Sequence, residues 1–167
     1  TLVDTQSVAP LAKITLTNGD NAEVKITGLK LIRNGISADT TLTNTYLFEG
    51  SKRLTDAASV STTVITFNDS TGLVTIPAGS SKTITVKADI AASTSGQTVG
   101  VSIAAATDIT TNASAVKGTF PITSNLMTIA DGTLATVDFN TQSTPTTADV
   151  TPQNDYVVWQ NITTIST

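Results

Sequence analysis

Pro77-Ala78-Gly79-Ser80-Ser81-Lys82-Thr83-Ile84-Thr85-Val86-Lys87-Ala88-Asp89-Ile90 is the stretch that decides the fold. Its first four residues have turn chemistry, because proline presets φ and glycine supplies a left-handed position. Beyond them Ile84, Val86, Ala88 and Ile90 alternate with Thr83, Thr85, Lys87 and Asp89. That two-residue period is the signature of a strand with one apolar face. The same period extends in both directions. Val99, Val101 and Ile103 repeat it, and Lys117–Thr123, Leu126–Ile129 and Ala135–Phe139 extend the set. Upstream, Leu11–Thr17 runs into the turn Asn18-Gly19-Asp20-Asn21, and Val64–Phe67 and Leu73–Ile76 flank a polar turn at 68–72. Tyr46-Leu47-Phe48 and Arg53-Leu54 enclose Glu49-Gly50-Ser51-Lys52, a hairpin signal. Val24 and Ile26 are followed by Leu29 and Leu31, one residue out of phase. A one-residue slip turns the apolar face outward unless a bulge absorbs it, and Gly28 is the natural place for one. No window carries an apolar stripe of helical period bounded by caps. Short strands with turns between them predict an all-β fold, an antiparallel sandwich or barrel.

The C-terminus echoes the N-terminus. Val8-Ala9-Pro10-Leu11-Ala12-Lys13-Ile14-Thr15 aligns without gaps on Tyr156-Val157-Val158-Trp159-Gln160-Asn161-Ile162-Thr163. The predicted organisation is a β-sandwich body over 1–141, a linker rich in Thr, Ser and Pro over 142–154, and a C-terminal donor strand over 155–167. A dozen extended linker residues span roughly 40 Å, enough to reach a neighbouring molecule. A first strand with no domain behind it needs a sheet edge to join. If that edge belongs to the next copy, the chain is a protomer of a head-to-tail homopolymer. Its inter-subunit strand would comprise Tyr156, Val157, Val158, Trp159, Ile162 and Ile165.

Composition narrows the functional classes. Charged residues make up 13% of the chain, against about 25% in ordinary globular domains. Hydroxyl-rich surfaces or covalent sugar must then supply solubility. The net charge of −4 and the singly scattered Lys13, Lys25, Lys30, Lys82 and Lys87 argue against nucleic acid, which needs clustered cations. The absence of Cys removes a disulfide framework and thiolate metal sites, and the absence of His removes the commonest general base. No apolar run is long enough for a helical membrane span. Thr1 reads as a processed N-terminus.

Leu11–Gly19 followed by Val24–Leu29, then Tyr46-Leu47-Phe48-Glu49-Gly50 and Ile76–Ile90, resemble the opening and middle signatures of an Ig-like module repeated in large secreted bacterial surface proteins. Asp155–Trp159 resembles the start of a following module. The chain also resembles subunits of glycosylated extracellular fibrils assembled by strand donation. It departs from the tandem family in carrying one module plus one strand. The resemblance implies an Ig-like or jelly-roll-like antiparallel β-sandwich with an extended C-terminal strand, and a structural, extracellular or cell-surface role, with a monomeric adhesin or carbohydrate-binding module cut from a larger surface protein as the alternative. Cell-surface glycans are then possible partners.

Site chemistry is sparse. Asn68, Asn112 and Asn161 head N-glycosylation acceptor patterns. Ser143, Thr144, Thr146 and Thr147 form a candidate O-glycan stretch, with an ordinary polar loop as the competing reading. Trp159 is the only Trp, and it reads as a core plug or as a sugar-stacking platform. Asn18–Asn21 is the best local candidate for calcium, but as a turn it needs no ion. No phosphate loop, nucleophile elbow or paired carboxylates can be identified. The expectation is therefore no enzyme, no metal and no cofactor, with covalent glycans as the modification.

Overall fold

In the computed structural model the described residues are 1–132, together with the strand backbones of 136–143 and 160–166. The chain divides into two compact units, Thr1–Asp131 and Gly132–Thr167. In chain order the strands are β1 (Leu2–Val3), β2 (Ala9–Thr17), β3 (Val24–Asn34), β4 (Leu42–Glu49), β5 (Lys52–Arg53), β6 (Val64–Asn68), β7 (Val74–Ile76), β8 (Ser81–Ile90), β9 (Thr98–Ile103), β10 (Ile109–Thr111), β11 (Ile122–Thr123), β12 (Met127–Ala130), β13 (Thr136–Ser143) and β14 (Gln160–Ser166). Two single 3-10 turns, Asp39–Thr41 and Ala106–Asp108, are the helical elements among the described residues.

The first unit is an all-β sandwich of two sheets, as the periodicity predicts. The small sheet has the order β2-β8-β4-β5. The large sheet runs β1-β12-β9-β3-β10, with β11 also on β9, and β6 and β7 also on β3. All pairs are antiparallel except β1 with β12. β3 is the spine. One of its edges takes β7 along Val24–Ile26 and β6 along Gly28–Ile32. Its other edge takes β10 and then β9. Val64–Phe67 and Leu73–Ile76 are therefore not a hairpin but two collinear pieces of one edge.

The phase slip in β3 is absorbed where the glycine permits it. Ile26 and Leu29 are both buried. Gly28 pairs with Thr110 but Ile26 pairs with Thr111, so Thr27 is the extra residue of a bulge. A Cβ on Gly28 would lie 2.9 Å from Thr110 Oγ1 and 3.0 Å from Asn68 Oδ1, closer than side chains pack.

The core lies between the sheets. Leu31, Ile65, Val99 and Ile129 from the large sheet meet Leu47, Ile84, Val86 and Ala88 from the small one, all at or below 1% exposure. Each such aliphatic side chain contributes about 1.5–3 kcal/mol of burial. The hairpin signal at 49–52 also holds. Glu49 faces Lys52, and Gly50 takes φ +60 in the two-residue loop.

Lys117–Thr123 departs from the expected strand, because only Ile122 and Thr123 join a ladder, on β9. Pro121 has no N–H to donate to a sheet, and Gly118 weakens the run before it. In the second unit β13 and β14 form an antiparallel pair, with Val137 opposite Ile165 and Thr141 opposite Ile162. The side chains of Asn161, Ile162, Ile165 and Ser143 lie outside the described residues, as do Thr144, Thr146, Thr147 and Tyr156, Val157, Val158 and Trp159 altogether.

Candidate functional site

Among the described residues β2 pairs on one side only, with β8. Its inward face is unevenly covered. Ala9 and Leu11 are buried, whereas Ala12, Ile14 and Leu16 are only partly so. The reason is local. Pairing with β8 slips between Pro10 and Ala12, so Leu11 is an extra residue. The bulge keeps Ala9, Leu11, Ala12, Ile14 and Leu16 all on the core side, and it leaves Lys13, Thr15 and Thr17 outward. Of the partly covered residues, Ile14 and Leu16 border a groove of about 360 Å³ between the sheets. Ile26, Ile109, Val116, Phe120 and Ile122 line its other wall. Ile122 is 42% exposed, high for a large apolar side chain at a sheet edge.

The groove's cover is the stretch between β10 and β11. Val116 and Phe120 pack against the core from it. Its start is pinned where Asn112 N–H donates to the Lys25 carbonyl and Asn112 Oδ1 accepts the Lys25 N–H at 2.7 Å. Among the described residues no backbone hydrogen bond ties Ser114–Phe120. The cover therefore rests on two apolar anchors rather than on a ladder.

Asn18, at one end of β2, also lines the groove and is 4% exposed. Its Nδ2 donates toward the carbonyls of Ala22 at 2.8 Å, Ile76 at 3.0 Å and Pro77 at 3.1 Å. Its Oδ1 accepts the Asp20 N–H at 2.9 Å. The amide thus locks the end of β2 to the end of β7, tying one sheet to the other. The Asn18–Asn21 segment is a turn built on this side chain. Among the described residues no group of three or more His, Cys, Asp or Glu is placed to hold a metal ion, and no helix is long and apolar enough to cross a membrane.

Two polar clusters shape the surface around the body. Arg33, 9% exposed, donates to Asp39 Oδ1 through Nε at 3.2 Å and Nη2 at 3.1 Å, and to Ser37 Oγ through Nη1 at 2.6 Å. Asp39 in turn accepts the Thr63 N–H. That hydrogen bond first, and the Arg33 guanidinium after it, outweigh burial and hold the Asp39 carboxyl below its ordinary range. The turn it supports is Thr62-Thr63, both with positive φ, between Ser61 and Val64. On the outer face of the small sheet, burial pushes the Asp89 carboxyl up. The Val8 N–H, the Tyr46 hydroxyl and the Asn44 amide overcome it, so the net shift is downward. The same contact raises the Tyr46 hydroxyl. Tyr46 and Phe48 meet edge to face at 6.4 Å, with Arg53 over one ring and Lys87 over the other.

The glycosylation candidates separate by environment. Asn68 is exposed at the end of β6. Asn112 is exposed too, but its amide is engaged with β3. Asn161 falls within β14, opposite Gln142. The groove residues Leu16, Ile109, Val116, Phe120 and Ile122 were not singled out from the sequence. Their signal is faint, because Gly118 and Pro121 interrupt the run from Val116 to Ile122, and Ile109 lies on a separate short strand. The chain matches no protein-family model, and neither curated proteins nor solved structures show a significant match to it.

Proposed function

We propose that the protein is a structural subunit of an extracellular fibril. It polymerises head to tail, each copy inserting its C-terminal strand, residues 155–167, into its neighbour. The observation that carries this reading is the open, apolar edge of the small sheet. β2 has one partner among the described residues and leaves Ile14 and Leu16 partly uncovered. Natural edge strands are usually blunted by charge, bulges or covering loops. β2 has a bulge at Leu11 and a covering stretch anchored by Val116 and Phe120, but along Ala12–Thr17 itself the pairing with β8 is regular and the only charge is Lys13, which faces outward. Strand addition draws affinity from main-chain hydrogen bonds and specificity from alternate side chains, and this edge offers both. The echo of β2 in 156–163 supplies a matching strand. Low charge and abundant hydroxyls suit a glycosylated fibre, with Asn68 the most accessible acceptor.

Electron microscopy of the purified chain tests the reading. The full chain should form filaments, and deletion of Tyr156–Thr167 should abolish them while the body keeps its β-type circular dichroism. Monodisperse full-length particles would refute it. They would favour the second reading, a monomeric adhesin or carbohydrate-binding module. The observation behind that reading is the part-exposed Tyr46–Phe48 pair on the outer sheet face, although cations already cover both rings.

A further inference from the structure

The geometry points to the groove beside β2 as the acceptor site, filled by Val157, Trp159 and Ile162 of a second copy of this chain. The inference rests on the fibril reading and names the surface that reading leaves open. Three observations lead to it.

The first is parity. In a regular strand Val157 and Trp159 share one face and Ile162 lies on the other, because faces alternate. β2 shows how its own pattern escapes that rule. Ala9 and Leu11 are joined on the core side by Ile14, because Leu11 is an extra residue in the ladder. In the gapless alignment Val157 falls on Ala9, Trp159 on Leu11 and Ile162 on Ile14. A segment following β2's path, bulge included, brings all three large apolar side chains to one side together with Gln160 in the place of Ala12, with Val158 outward in the place of Pro10.

The second is charge. Tyr156–Thr167 contains no charged residue. It enters an apolar groove without the cost of desolvating an ion. The third is access. The groove's cover over Ser114–Phe120 can lift without breaking a backbone ladder, because among the described residues its anchors are Val116 and Phe120. Gln160–Ser166 of the donor segment pair with β13 of the same chain; two strands alone make a marginal pair in water, and the proposal requires this pairing to be exchanged for the groove.

Because the chain has no Cys, engineered thiols report pairing without background. Adjacent antiparallel strands hold facing Cα atoms about 4.5–5.5 Å apart, within disulfide reach of about 4.4–6.8 Å. Chains carrying Lys13→Cys, Thr15→Cys or Thr17→Cys are each mixed with chains carrying Val158→Cys, assembled and oxidised. Mass spectrometry then identifies the linked peptides. One of the three positions should link to 158 at least about tenfold more than Lys52→Cys, which sits on the opposite edge strand of the same sheet. Filaments that form with no β2–158 link, or with a preferred link to position 52, would overturn the acceptor assignment and leave the fibril reading standing. A Thr15→Cys/Val158→Cys chain that closes on itself while the mixtures do not cross-link would show that the chain fills its own groove, which overturns the second copy as occupant. A wild-type chain that never leaves the monomer overturns the fibril reading and this assignment with it.

Discussion

Replacing Asn18 by Asp changes one amide nitrogen for an oxygen at nearly constant volume, in a site that is 4% exposed and faces three carbonyl oxygens within 3.1 Å. The retained Oδ1 still accepts the Asp20 N–H. The new oxygen has nothing to donate when ionised. The fold's least costly response is to keep the carboxyl protonated. An Asp of unfolded pKa about 3.9 held neutral at pH 7 costs about 1.4 kcal/mol per unit over three units, about 4 kcal/mol. A protonated Asp offers one donor where Asn offers two, a further loss of about 1 kcal/mol. The expected destabilisation is therefore about 4–5 kcal/mol at pH 7 and about 1 kcal/mol at pH 3. The sign follows from the raised folded pKa: the folded state holds the extra proton, so the variant loses stability as pH rises. Asn18→Ala removes the donors without adding a charge. It should cost about 1–3 kcal/mol at both pH values. Urea unfolding followed by far-ultraviolet circular dichroism, with each variant compared with wild type at the same pH, gives the differences. If Asn18→Asp costs the same at pH 3 and pH 7, or no more than Asn18→Ala at pH 7, the three carbonyls do not converge on this side chain and the lock between the sheets is wrong.

The Thr62-Thr63 turn holds two β-branched residues at positive φ, so Thr62→Asn with Thr63→Gly should stabilise the body by about 1 kcal/mol, read as a higher urea midpoint at unchanged slope. Gly35 has φ +100, and a Cβ there would lie 2.3 Å from the Thr98 carbonyl oxygen; Gly35→Ala should cost more than about 3 kcal/mol, whereas Gly50→Ala, with open space around it, should cost only about 1 kcal/mol for its left-handed backbone. Asp39, Asp69 and Asp89 all have lowered folded pKa values, so their contribution is complete above the unfolded value of about 3.9 and is lost as pH falls through the folded values. With no His or Cys in the chain, thermal midpoints should be nearly flat from pH 5 to 8 and drop below pH 4; a marked step near pH 6.5 would contradict this. In assembled material, Trp159→Ala should leave the subunit soluble and polymerising poorly, since truncating a buried aromatic typically costs about 3–5 kcal/mol, and wild-type Trp emission should shift to the blue on assembly.

Local chemistry was legible wherever a residue's role depends on its immediate neighbours. The alternation from Thr83 to Ile90 identifies β8, and its buried residues are the ones that the period marks. The slip at Thr27-Gly28 announces a bulge, and the bulge is there. Glu49–Lys52 announces a hairpin, and Pro77–Ser80 a turn, with the Ser80 N–H donating to the Pro77 carbonyl. Proline and glycine act on their own φ angles, and strand period is a property of consecutive residues, so no distant contact is needed to read them. Tertiary structure alone decided which strands share a sheet. Nothing local assigns β6 and β7 to the same edge of β3, or makes Asn18 a tie between sheets, or brings Arg33 to the Asp39 that holds a turn more than twenty residues further on. Nor does the period of Leu11–Thr17 reveal that the strand has a single partner among the described residues. An edge is defined by what fails to pair beside it, and pairing is set by loop closure and by the packing of the other face. The groove is the same kind of feature. Its walls come from residues near positions 14, 26, 109 and 120, whose proximity only the folded sandwich creates.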